Sequence, residues 1–182
     1  MIKNVVTTPP SAEPVSLADA KVHLRTVTGD TSEDSAVITP LIVAAREYCE
    51  NFTRRAFAAQ TVKAYPDGWE DNIKLPMPPL VSVTSIKYYD EDNTEYTLAS
   101  ADYQVDTIGG TIQILEEPTE TLRLLNPIVI EYSAGYTTLP KTLRQAMLLF
   151  IADKYQNRGD EPTEKAAEAI KALLYQHKAG WQ

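Results

Sequence analysis

The sequence predicts an α+β fold: a helical bundle of two N-terminal and two C-terminal helices with a small antiparallel β-sheet subdomain inserted between the pairs. Three observations predict it. Apolar residues recur at helical spacing up to Ala56 and again after Pro140. In the middle third the period falls to two, and Val, Ile, Thr and Tyr dominate. Gly, Pro, Asn and Asp clusters cut that stretch into short pieces with many turns between them.

Residues 1–15 contain Thr7–Thr8–Pro9–Pro10 and Pro14, which favours an extended N-terminal arm over a helix. The main domain is expected over 16–158, with helices at 16–27 and 31–56, the β insertion at 60–133 and a helix at 140–158. A C-terminal helix and tail take 159–182. Ser16 opens the first helix, with Asp19 as a short-armed capping-box partner. Leu17, Ala20 and Leu24 fall on one face, and Gly29 ends the unit. The second helix starts near Thr31 or Ser32, with Glu33 and Asp34 in its first turn. Val37, Leu41, Ala44, Tyr48 and Phe52 form its apolar stripe, interrupted by Pro40, where the helix either kinks or begins its regular part. Arg46, Glu47, Glu50, Arg54 and Arg55 are expected on the exposed side, with Glu50 and Arg54 spaced for an ion pair.

Strands are expected at Thr61–Tyr65, Ile73–Leu75, Leu80–Tyr89, Tyr96–Leu98, Tyr103–Asp106, Thr111–Ile114 and Pro127–Tyr132. Asp90–Glu91–Asp92–Asn93 and Gly109–Gly110 supply hairpin turns. Helices return at Pro140, suited to a first helical position. Leu143, Ala146, Met147, Phe150, Ile151 and Lys154 trace one face, but Met147–Leu148–Leu149–Phe150–Ile151 is apolar nearly all round. Two buried surfaces follow from that. The last helix opens at Pro162, with Ala166, Ala169, Ile170, Leu173 and His177 on one stripe and Trp181 beyond its end. Short, Ala-rich and placed after the Gly159 break, it is expected to be loosely tethered.

The composition, 43% apolar and 23% charged, is that of an ordinary globular chain. A formal charge of −8 argues against tight binding to nucleic-acid phosphates. Cys49 alone allows no internal disulfide framework, and His23 and His177 are too few and too far apart for a zinc cage. The longest apolar run, Ala146–Ala152, falls short of the ~20 residues of a membrane span, and the N-terminus lacks a secretory pattern. A soluble protein made inside the cell is expected. No Gly-x-Ser-x-Gly elbow or phosphate loop occurs, and the run Asp90–Glu95 lacks the glycine and distal glutamate of a calcium loop. His177 suits a helix C-terminus, and Asp67 and Glu70 sit in a turn. No enzyme activity, cofactor or metal is therefore expected.

Five stretches in order carry a family resemblance. They are VSLADAKVHLR (15–25), LIVAAREYCENFTRRA (41–56), LPMPPLVSVTSIKYYD (75–90), ADYQVD with IVIEYSAGY (101–106 and 128–136), and LPKTLRQAMLLFIADKYQNR (139–158). Together they resemble the head–tail connector (adaptor, head-completion) proteins of long-tailed double-stranded DNA phages and gene-transfer agents. Pro40 and the charged segment after Leu115 depart from that pattern.

The resemblance implies a structural subunit that forms a homo-oligomeric ring, usually twelve-fold, under the portal. Such a ring extends the DNA channel and joins the capsid to the stopper or tail-completion protein. The implied location is the virion neck, after synthesis in the host cytoplasm. Double-stranded DNA passes through without specific binding and no membrane is involved; an acidic lining would let phosphates slide. On this reading Ile170, Leu173, Leu174, Tyr175, His177 and Trp181 are the portal-docking residues, and Leu148 and Ile151 touch the adjacent subunit. A tail or baseplate adaptor, binding protein through exposed Tyr88, Tyr89 and Tyr96, is the alternative. A small hydrolase is a remote one.

Overall fold

The computed structural model describes residues 2–26, 32–157 and 163–180, and the chain divides into two units. One comprises residues 1–11 and 59–136 and is built of strands; the other comprises 12–58 and 137–182 and is helical. Several sequence features fall outside the described residues: the Gly29 stop, the Thr31 start, Arg158–Gly159, Pro162 and Trp181.

In the β unit the strands are β1 (Lys3–Thr8), β2 (Gln60–Tyr65), β3 (Asn72–Lys74), β4 (Leu80–Tyr89), β5 (Glu95–Thr97), β6 (Tyr103–Asp106), β7 (Thr111–Ile114) and β8 (Ile128–Ala134). They form two antiparallel sheets, not one: β1-β2-β8-β4-β5 and β3-β7-β6. The stretch expected as an extended arm supplies β1, which pairs with β2 along Lys3–Tyr65 to Thr8–Thr61, with a register shift between Val6 and Thr8. Alternation explains the rest. In β8, Ile128, Ile130, Tyr132 and Ala134 are buried, while Val129, Glu131 and Ser133 are not. Tyr132 is fully buried and its hydroxyl donates to the Pro76 carbonyl at 2.5 Å, so the one polar atom of a large core side chain is satisfied.

Two hairpins use the same turn device. Asp90 Oδ1 accepts the N–H of Asp92 at 3.0 Å and of Thr94 at 2.8 Å. Asp106 Oδ1 accepts from Ile108 and Gly109, both at 2.9 Å. At Gly109 a Cβ would run into the Asp106 carboxylate, so any larger residue there would push the turn-forming Asp106 side chain aside. These bonds make Asp90–Asn93 a hairpin turn, with Asn93 in the left-handed region at φ 63°.

The helical unit has α1 (Leu17–Leu24), α2 (Ser32–Thr53), α3 (Lys141–Gln156) and α4 (Glu164–Tyr175). Ser16 caps α1 by accepting the Asp19 N–H at 3.1 Å. The helix stops at Arg25, φ 58°, whose N–H turns back to Lys21 and Val22. α2 is continuous through Pro40, which is exposed, and it ends before Arg54, also left-handed at φ 58°. Its buried stripe is Ile38, Ile42, Ala45 and Cys49, one residue round from the expected Val37–Leu41–Ala44–Tyr48 set. The apolar arc of α2 is wide enough to allow both settings, and packing selects this one. α3 packs against α1, α2 and α4, and Leu143, Ala146, Met147 and Ile151 join the α2 stripe in the core.

Candidate docking surface

The helical unit is organised around a buried guanidinium. Periodicity places Arg46 and Glu50 on the solvent side of α2; the structure buries both, each 6% exposed. The rotated stripe carries them inward, and buried charge survives only with partners. Arg46 Nε meets Glu13 Oε2 and Nη1 meets Glu50 Oε2, each at 2.8 Å. Glu50 uses its other oxygen to accept the Phe57 N–H at 2.7 Å. The lead into α1, the middle of α2 and the segment after α2 are thereby tied to one charge. Burial works to lower the Arg46 pKa, but the Glu13 and Glu50 carboxylates outweigh it and raise the pKa. Cys49 lies beside this network, fully buried, and burial pushes its thiol up to about 12, so it stays protonated at neutral pH.

A second set of contacts seats α4. Asp153 on α3, 7% exposed, accepts from the Thr163 N–H at 3.3 Å, the Thr163 hydroxyl at 3.1 Å and Asn157 Nδ2 at 3.2 Å. At the other end Arg55 Nε donates to the His177 carbonyl at 2.5 Å, and the Ala179 N–H donates to Thr53 O at 2.8 Å. His177 Nε2 shares a 2.7 Å hydrogen bond with the Thr142 hydroxyl. The final helix is held at both ends, which corrects the expectation of a loose tether. Propensity and length argued for looseness, whereas packing and these long-range bonds decide the outcome.

The candidate docking residues therefore divide. Ile170 and Leu174, 3% and 0% exposed, belong to the unit's own core and have no surface to offer. Leu173 and His177 are half-buried, and Trp181 lies outside the described residues. Tyr175 stands 62% exposed, edge-on to Phe52 at 5.3 Å, with Lys178 Nζ 5.6 Å from the Phe52 ring and 5.7 Å from the Tyr175 ring. Phe52, Tyr175 and Lys178 form one aromatic and cationic patch where the ends of α2 and α4 meet. The two candidate subunit-contact residues are also internal: Leu148 is 5% and Ile151 0% exposed. Two buried faces on α3 were expected, and both are filled within the chain, with α2 and α4 each packed on it.

The tyrosines expected as an exposed binding face are engaged within the β unit. Tyr88 is 7% exposed, stacks on Tyr96 at 5.2 Å and meets the Trp69 ring edge-on at 5.6 Å. Tyr89 donates to Glu95 at 2.6 Å and Tyr96 to Asp90 at 3.1 Å. Among the described residues no group of three His, Cys, Asp or Glu side chains is arranged to hold a metal ion, and no helix is long and apolar enough to cross a membrane.

The head completion protein family model matches residues 18–167. No curated protein matches the sequence significantly. Among solved structures, a chain from the virion of a native gene transfer agent particle superposes with a TM-score of 0.77 at 23% identity, covering 98% of this chain and 96% of that one. A neck chain of the empty gene transfer agent particle, computed with C6 symmetry, gives 0.76 at 25% identity over 100% and 97%. A neck chain of the native particle, computed with C12 symmetry, gives 0.75 at 22% identity over 100% and 97%.

Proposed function

The chain belongs to the head completion protein family, and on that premise we propose that it is a structural head–tail adaptor subunit of a virion neck. It forms a ring under the portal, extends the DNA channel, and joins the capsid to the stopper or tail-completion protein. The observation that carries this reading is the likeness to gene transfer agent neck chains along the whole chain, 100% of it at a TM-score of 0.76. The C12 symmetry of the native neck supports a ring of twelve copies, and the C6 symmetry of the empty one is compatible with it. The subunit works by holding neighbours in place, a role that asks for no turnover, no metal and no cofactor.

Within the helical unit the patch of exposed Tyr175 and Lys178 around half-buried Phe52 is the portal-docking element. It combines an aromatic anchor with a cation, and the buried residues of α4 hold it in position. The test is assembly of the purified full-length chain onto isolated portal rings, followed by sedimentation and class averaging. Twelve copies co-sedimenting beneath each portal are expected. A chain that stays in the supernatant with intact portals, or that labels the baseplate in whole particles, overturns the proposal.

A further inference from the structure

The segment between β7 and β8, residues 115–127, presents Leu124 and Leu125 to solvent, 97% and 77% exposed. Exposed leucines are common on protein surfaces, but the loops that carry them are generally mobile. This one is fastened. Leu122 forms a β-bridge with Asp90, and the Glu91 N–H donates to Thr121 O at 3.1 Å. The Arg123 N–H donates to Tyr89 O at 3.1 Å, and the Tyr89 N–H to Pro127 O at 2.9 Å.

The Arg123 guanidinium lies 3.9 Å from the centre of the Tyr89 ring. It donates to Asn126 O from Nη2 at 2.8 Å and from Nε at 3.3 Å, and to Asn93 Oδ1 at 3.3 Å. Asn126 takes the left-handed conformation, φ 47°. An arginine and a left-handed asparagine thus shape a turn whose product is two leucines standing in water. Holding an apolar anchor in its docked geometry beforehand removes ordering entropy from binding.

Charge then selects the occupant. The β unit's five Lys and Arg residues face thirteen Asp and Glu residues, so it carries −8, while the helical unit's twelve of each cancel. Glu91 and Arg123 line the same open depression as Leu124 and Leu125; Arg123 is engaged with Tyr89, Asn93 and Asn126, which leaves Glu91 and the exposed Asp92 beside it to set the charge a partner meets. A second copy of this chain offers either another −8 surface or a balanced one, whose aromatic and cationic patch at Tyr175 and Lys178 is given to the portal in the assembly proposed above. An anionic bilayer would be repelled as well. The geometry points to a different protein as the partner of the Leu124–Leu125 turn, one that presents an apolar pocket rimmed by lysine or arginine. This inference rests on the neck reading, in which the ring must hold a following protein, and it assigns that grip to the β unit.

The test uses assembled particles containing the full chain with benzoylphenylalanine in place of Leu124. Irradiation is expected to cross-link it to a different chain, at an apolar residue with Lys or Arg in the adjoining peptide. Cross-links only to another copy of this chain, or none from particles that contain it, overturn the inference while leaving the neck reading intact. In parallel, the Leu124→Ser/Leu125→Ser chain is expected to melt as the parent does and to yield particles that retain the next neck protein at a tenth of the parent level or less. Glu91→Lys/Asp92→Lys should weaken the same retention and reduce its salt dependence. Full retention in the double-serine particles also overturns the inference. Absence of the chain from particles overturns the neck reading and this inference with it.

Discussion

Arg46 holds three segments with one charge, and the position was unreadable from periodicity because Glu13 lies 33 residues away. A helical wheel assigns an Arg–Glu pair four apart to water unless a distant partner accounts for the rest of the charge. Arg46→Met should cost about 3–5 kcal/mol, because it strands Glu50 in the interior, and adding Glu50→Gln should recover part of the loss. Urea unfolding of the single and double variants checks this. Asp90 makes a different kind of prediction. Its pKa is lowered below the usual 3.8, first by the Thr94 backbone hydrogen bond, with Tyr96 and Asp92 adding to it. Asp19 is lowered in the same direction, mainly by Ser16 and Arg144. A carboxylate depressed in the folded state stabilises fully above its unfolded value, and the benefit is lost as pH falls through the folded one. Stability should therefore decline below the ordinary aspartate range, and Asp90→Asn should flatten that decline while lowering stability at pH 7. Denaturation midpoints between pH 7 and pH 3 decide the matter.

At the scale of elements, α3 determines what can be removed from the chain. Leu148→Glu places a charge in a side-chain position that is 5% exposed, so it should unfold the free subunit and not merely block assembly. Leu174→Ala should cost about 2–5 kcal/mol as a fully buried truncation. Deleting residues 162–182 would bare the face of α3 that α4 covers, so lost portal binding after that deletion reports unfolding. Tyr175→Ser is the informative change: it forfeits an exposed aromatic pair worth about 1 kcal/mol, keeps the fold, and should lower co-sedimentation with portal rings. Thermal melting beside the sedimentation assay separates the two effects. The strands β4, β6 and β7 run where alternation and turn residues put them, since their pairing partners are close in sequence or their pattern is long. β1 was not legible as a strand, because its partner β2 begins more than fifty residues later and nothing local demands a sheet. The division into two sheets was equally hidden, for a period of two says which face is buried and not against what.

For the whole molecule, the net charge was legible and its distribution was not, since the units do not follow chain order. The β unit takes residues 1–11 before the helical unit begins and residues 59–136 between its halves. Of the candidate docking surface, the aromatic content of α4 could be read in advance, but which of its residues are exposed could not, because burial of Ile170 and Leu174 depends on α3.

The interleaved path also bears on biosynthesis. On a ribosome, α1 and α2 emerge before α3, their main packing partner, exists, and β1 must wait for β2. The β unit has all its strands once Ala134 has emerged, while the helical unit still lacks half of its core. The nascent chain should accordingly complete its strands first and close its helices last. In stalled translation products ending near residue 140 plus a ribosome-tunnel spacer, Trp69 should be protected and the α2 stripe around Cys49 open to alkylation. In full-length released chains Cys49 should be closed.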